Sequence, residues 1–136
     1  MSMRLWPLCL LILASAALPA CRPEANSALG VTERFIDAHY VRIDLSAALP
    51  LCTGLALQKL HEEQRLTTGQ PIDESTRKPT IHYRLLDKKE EDTEHASFVF
   101  EGTIQVEDAG QFTRKWLINA RRSDALWKVS NFEEFD

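Results

Sequence analysis

Little in this 136-residue chain points to nucleic acid, metal or membrane-spanning chemistry. Basic residues number 16 against 20 acidic ones, and an acidic balance argues against nucleic acid or anionic lipid head groups as partners. The longest apolar run, Leu5–Leu13, is well short of the roughly 20 residues a membrane-spanning helix needs. The histidines His39, His61, His82 and His95 show no close ligand spacing, so no metal site is indicated. No glycine-rich phosphate loop, no Ser/His/Asp arrangement and no internal repeat is present, and nothing calls for a cofactor.

What is present begins with a leader. Arg4 supplies a positive charge, Leu5–Leu13 an apolar stretch, and Ala14–Ala20 mostly small residues, the layout of a secretory signal peptide over residues 1–20. Its end, Leu18-Pro19-Ala20-Cys21, resembles the lipobox of bacterial lipoproteins, with Pro19 where a small residue is usual. The resemblance implies cleavage before Cys21 and acylation of that cysteine. Several acyl chains make a stable anchor, each buried methylene adding about 0.8 kcal/mol. Arg22 stands where the inner-membrane retention signal of enteric bacteria has Asp, which favours the outer membrane, with the domain facing the periplasm. Cys9 would leave with the leader and Cys21 would carry lipid. Cys52 then has no partner for an intrachain disulfide and reads as a small core residue.

The processed chain would hold 116 residues, enough for one domain with an adequate core. Residues 21–30 read as a polar, disordered lipidated tether, leaving 31–136 as the domain. From Val31 the apolar period is helical: Phe35, Ile36, His39, Tyr40 and Ile43 share one stripe. Asp44 offers a cap for a short helix, Leu45–Cys52, broken or kinked by Pro50. Thr53-Gly54 starts another, Leu55–Leu66, with a stripe of Leu55, Ala56, Lys59, Leu60 and Glu63. Thr67–Pro79 reads as loop.

Four strands follow. The plainest is Glu94–Glu107, where Ala96, Phe98, Phe100, Gly102, Ile104 and Val106 alternate with polar neighbours, so one face is buried and the other wet. Thr80–Asp87 places Ile81, Tyr83 and Leu85 on one face, and Lys88–Asp92 reads as a solvated turn. Phe112–Arg121 alternates Phe112, Trp116, Ile118 and Ala120 against polar residues. A three-residue loop, Asp108-Ala109-Gly110, would pair Phe100 with Ile118, Phe98 with Ala120 and Gly102 with Trp116. It would also make neighbours of Thr103 and Lys115, and of Ser97 and Arg121, on the outer face. Leu126–Phe135 puts Trp127 and Val129 inward through an even-numbered loop near Ser123-Asp124. Phe132 breaks the alternation and predicts a bulge near Asn131.

Helices followed by four antiparallel strands, with the opening helix Glu33–Tyr40 and the closing strand Trp127–Phe132, resemble the nuclear transport factor 2-like superfamily, which includes ketosteroid isomerase. A cystatin-like helix-plus-sheet domain gives nearly the same pattern. The resemblance implies an α+β cone: N-terminal helices packed on the concave face of a curved four-stranded antiparallel sheet, with a pocket between them. Candidate pocket residues are His39, Tyr40, Tyr83, Trp116 and Trp127. The inward residues of the strands, read as far as Val129, include no Asp, Glu or His, and Arg114 reads as a rim residue. That lack argues against the proton-moving enzymes of the superfamily. The favoured reading is a lipid-anchored module without a catalytic residue, binding an envelope protein or a small apolar ligand. The alternative is a cone-pocket enzyme of isomerase, dehydratase or cyclase type, with His39 as base. The outer sheet face, apolar only at Val99 and Leu117, suits a monomer or weak dimer.

Overall fold

The computed structural model describes residues 23–70 and 78–136, so the leader and Cys21 lie outside the described residues. Helix α1 spans Ala28–Ile36 and runs on into a π-helical turn, Asp37–Val41. Helix α2, Leu45–Ala48, passes into a 3₁₀ turn at Leu49–Leu51, and α3 covers Gly54–Thr67. Strands β1 (Thr80–Glu90), β2 (His95–Val106), β3 (Gly110–Ser123) and β4 (Leu126–Phe135) form one antiparallel sheet in that order.

The helical caps follow from local chemistry. Asp44 accepts from the Ala47 amide, as an N-cap should. The first helix begins at Ala28 rather than Val31, because Ser27 caps it by accepting from Gly30 N at 2.9 Å. The Ser27 hydroxyl in turn donates to the Glu24 carbonyl, and Arg34 donates to the Ala25 carbonyl. The stretch expected to be a free tether through residue 30 is therefore bound to the domain from Glu24 onward.

The alternation in β2 and β3 points as its pattern dictates. Ala96, Phe98, Phe100, Trp116, Ile118 and Ala120 are buried on the helix-facing side, with Val129 of β4 beside them. Val31, Phe35, Ile36, Ala56 and Leu60 close the core from above. Cys52 is a free, buried thiol whose segment bridges to Val129, and the Thr53 amide donates to the Val129 carbonyl.

The hairpin register differs from expectation by two residues with parity intact. Val106 pairs with Gly110, so the loop is Glu107–Ala109 and Gly110, at φ +96°, is the first strand residue. Phe100 therefore faces Trp116, Phe98 faces Ile118, and Gly102 faces Arg114. On the outer face Glu101 meets Lys115 and Ser97 meets Asn119, not Arg121. The charged residues Lys88–Glu90 continue β1 instead of turning, since Phe98–Ala96 supply paired backbone for them. A bulge between Leu85 and Asp87 marks the transition. The β3–β4 turn is the two-residue Asp124-Ala125, both at positive φ, the geometry that matches strand twist.

The β4 bulge falls at Ser130: Val129 pairs with Ala120, and Asn131 with Asn119. It returns Phe132, only 7% exposed, to the core side. The same shift carries Glu134 to the position opposite Trp116. An acidic residue does therefore stand on the inner face of the sheet, contrary to the list that stopped at Val129.

Candidate functional site

The π turn sets up the site. Arg42 N bonds Asp37 O at 2.9 Å and Asp44 N bonds Ala38 O at 2.8 Å, reaching five and six residues back rather than four. The turn ends at Ile43 with φ +52°, a conformation that costs a β-branched residue on the order of 1–3 kcal/mol. This wide turn holds His39 and Tyr40 side by side, ring centroids 4.4 Å apart.

Tyr40 lies flat on Trp116, at 4.2 Å between centroids and 8° between planes. His39 stacks on Phe35 at 5.1 Å and meets Phe132 at 4.9 Å. Five rings thus converge between the helices and the sheet: Phe35, His39, Tyr40, Trp116 and Phe132. Trp116 and Phe35 are fully enclosed. The space between the helices and the sheet around Trp116 is filled by the protein's own side chains.

An open cleft of about 470 Å³ remains at its mouth, lined by His39, Tyr40, Lys59, Glu63, Phe132, Glu133 and Glu134. His39 Nε2 is 2.7 Å from Glu63 Oε2, so Nε2 carries the proton and donates. The other ring nitrogen, Nδ1, is buried and has no hydrogen-bond partner among the described residues. A general base needs its lone pair within reach of a substrate proton. Here one nitrogen is committed to a carboxylate and the other is walled in by rings.

Lys59 Nζ donates to Asn131 Oδ1 at 2.9 Å and to the Phe132 carbonyl at 2.7 Å, and sits 5.3 Å above the Phe132 ring. Trp116 Nε1 donates to Glu134 Oε2 at 3.3 Å, and Arg114 Nε lies 3.6 Å from the other Glu134 oxygen. Arg114 also pairs with Asp136 and has the rim position expected of it. Burial, reinforced by the Glu134 and Glu63 carboxylates, raises the Tyr40 phenol well above its ordinary pKa.

Of the five candidate pocket residues, His39, Tyr40 and Trp116 come together. Tyr83 stands apart on β1, its hydroxyl donating to Asp37 Oδ1 at 2.9 Å and its ring against Phe100. Burial first, then the bond to Asp37, raises its pKa. Trp127 lies at the opposite end of the sheet, paired with Arg122, seven strand residues from the Trp116–Glu134 row. Four cleft residues were not anticipated as a group. Lys59 and Glu63 were visible as polar members of a buried helical stripe. Glu133 and Glu134 follow from the bulge that Phe132 signals.

No family profile matches the chain, and no curated protein matches it. Solved structures do resemble it. A putative calcium/calmodulin-dependent protein kinase type II association domain from Thiobacillus denitrificans aligns over 83% of this chain and 97% of its own, with a TM-score of 0.62 at 11% identity. A nuclear transport factor 2-like protein of unknown function from Shewanella oneidensis covers 79% and 95%, with a TM-score of 0.56 at 13% identity. A ketosteroid isomerase-like protein from Erwinia carotovora covers 82% and 95%, with a TM-score of 0.54 at 14% identity. At such identities the likeness speaks to architecture alone. The domain has the nuclear transport factor 2-like fold.

Proposed function

We propose that this chain is a lipid-anchored periplasmic module that binds through its surface and performs no chemistry. The observation that carries the reading is the Tyr40–Trp116 stack, which occupies the space an apolar substrate would need. The His39–Glu63 pair adds to it, because a histidine committed through Nε2 and enclosed at Nδ1 cannot abstract a substrate proton. The partner is an envelope protein in preference to a small apolar ligand, since the cleft at His39 is open and charged. The outer sheet face, where Ser97 bonds Asn119 and Arg84 bonds Glu101, suits a monomer or weak dimer. Anchoring comes from Cys21, with the outer membrane as destination.

Two measurements test this. A Cys21→Ala variant moves the protein from the membrane to the soluble fraction. Photo-crosslinkers placed at Glu133 and at Lys88, on the far edge strand β1, separate a cleft partner from chance collisions. A discrete adduct at Glu133 alone supports the reading. An activity abolished by His39→Ala would replace it with the isomerase-type alternative.

A further inference from the structure

The segment from Glu24 to Ser27 is strapped to one end of the domain. Asn26 Nδ2 donates to the Ala125 carbonyl at 3.0 Å, and Asn26 Oδ1 accepts from Trp127 N at 3.2 Å, tying the strap to the β3–β4 turn. Ser27 holds Glu24, and Arg34 holds Ala25. Gly30 lets the strap lie close, because a Cβ there would collide with the Glu24 carbonyl. Only three Cα steps separate Cys21 from Glu24, a reach of about 11 Å when fully extended.

We infer that the end of the sheet bearing the β1–β2 and β3–β4 turns faces the lipid surface, and that the β2–β3 hairpin tip points away from it. This rests on lipidation at Cys21. A tether of ten free residues would let the domain tumble, whereas three residues leave it little choice of attitude. Thirteen strand steps separate Ser123 from Gly110, about 43 Å at 3.3 Å each, so the two ends are well separated. The cleft row at Trp116 lies seven steps from Ser123, about 23 Å, and opens clear of the head groups. The membrane-facing end is mixed in charge, with Glu91, Asp92, Glu94 and Asp124 against Arg121, Arg122 and Lys128. Tether geometry therefore sets the attitude, not electrostatic attraction.

The test uses the full, processed chain in phosphatidylethanolamine–phosphatidylglycerol vesicles carrying a head-group energy-transfer acceptor. A donor is attached at Thr93→Cys in the β1–β2 turn or at Ala109→Cys in the hairpin tip; Cys52 is buried and does not compete for label. Strong transfer from 93 and near-background transfer from 109 supports the inference, and equal transfer from both overturns it. Adding Asn26→Ala and Gly30→Ala releases the strap and should bring the two efficiencies together. If the contrast persists in that variant, the strap is not its cause and the inference fails. A chain that never joins the vesicles, with an N-terminal mass lacking acyl groups, overturns the Cys21 reading and this inference with it. Equal transfer from an acylated chain removes this inference alone.

Discussion

Trp116 covers Gly102 without being its cross-strand partner. Gly102 pairs with Arg114, and the indole reaches it diagonally from the neighbouring row, within the span that large rings bridge. A Cβ at position 102 would overlap the six-membered ring of Trp116. Tyr40 stacks flat on the same indole, whose Nε1 is bound to Glu134. The indole is fully buried and held by a stacked ring and a hydrogen bond, which leaves it little room to shift.

Gly102→Ala should therefore cost about 1–3 kcal/mol by overpacking, despite alanine being the smallest possible addition. Urea unfolding followed through tryptophan emission measures it. An unchanged midpoint would mean that Trp116 is free to shift.

Lys59 satisfies the irregular backbone beside the β4 bulge, holding both the Phe132 carbonyl and the Asn131 amide oxygen. Replacing it by methionine keeps the aliphatic stem over Phe132 and removes the donor. The expected loss is about 1–2 kcal/mol, the cost of leaving a partly buried acceptor unpaired. Thermal unfolding of Lys59→Met against Lys59→Arg checks it, since arginine retains a donor. Equal stability of the two would contradict the assignment.

Alkaline pH should destabilise the fold. Burial pushes the Cys52 thiol up to about 12 from its ordinary 9.0, against a small opposing effect of Lys128. The Tyr40 and Tyr83 phenols are raised from 10.0 in the same direction. In each case the unfolded state gives up its proton first, so it gains as pH rises. The stabilising contribution is whole below about pH 9 and is lost as pH climbs from there toward 12. Tyr40→Phe keeps the ring and should flatten this alkaline limb. Superimposable limbs for wild type and variant would refute it. By the same burial, a thiol reagent should modify Cys52 only as fast as the protein opens.

How much of this was legible in the sequence depended on the strength of the local pattern. The β2 alternation is unbroken from Ala96 to Gly102, so its buried face was readable and survived a register that was two residues out. A loop ending at Gly110 predicts a register two residues away, whereas Gly110 opens the strand opposite Val106. Positive φ is equally satisfied by a glycine opening the strand. Phe132 announced the bulge, yet its consequence for Glu134 requires following parity to the end of the chain. The charges of Lys88–Glu90 suggested a turn, but backbone pairing with Ala96–Phe98 outweighed them at an edge where the side chains stay wet. The π turn left no signature, since Phe35, Ile36, His39 and Tyr40 fit an ordinary helical stripe. The His39–Glu63 contact was half visible: each residue sits on the inward stripe of its own helix, but only the packing angle brings them together.

The Tyr40–Trp116 stack fills the space beneath the helices that an apolar ligand would need. Binding of an apolar fluorescent probe to the wild type and to Tyr40→Ala addresses it most directly. The prediction is no saturable binding by the wild type, and saturable binding with quenching of Trp116 once the Tyr40 ring is gone. Saturable, Trp116-quenching binding by the wild type would contradict it and return the cone to the role of a ligand pocket.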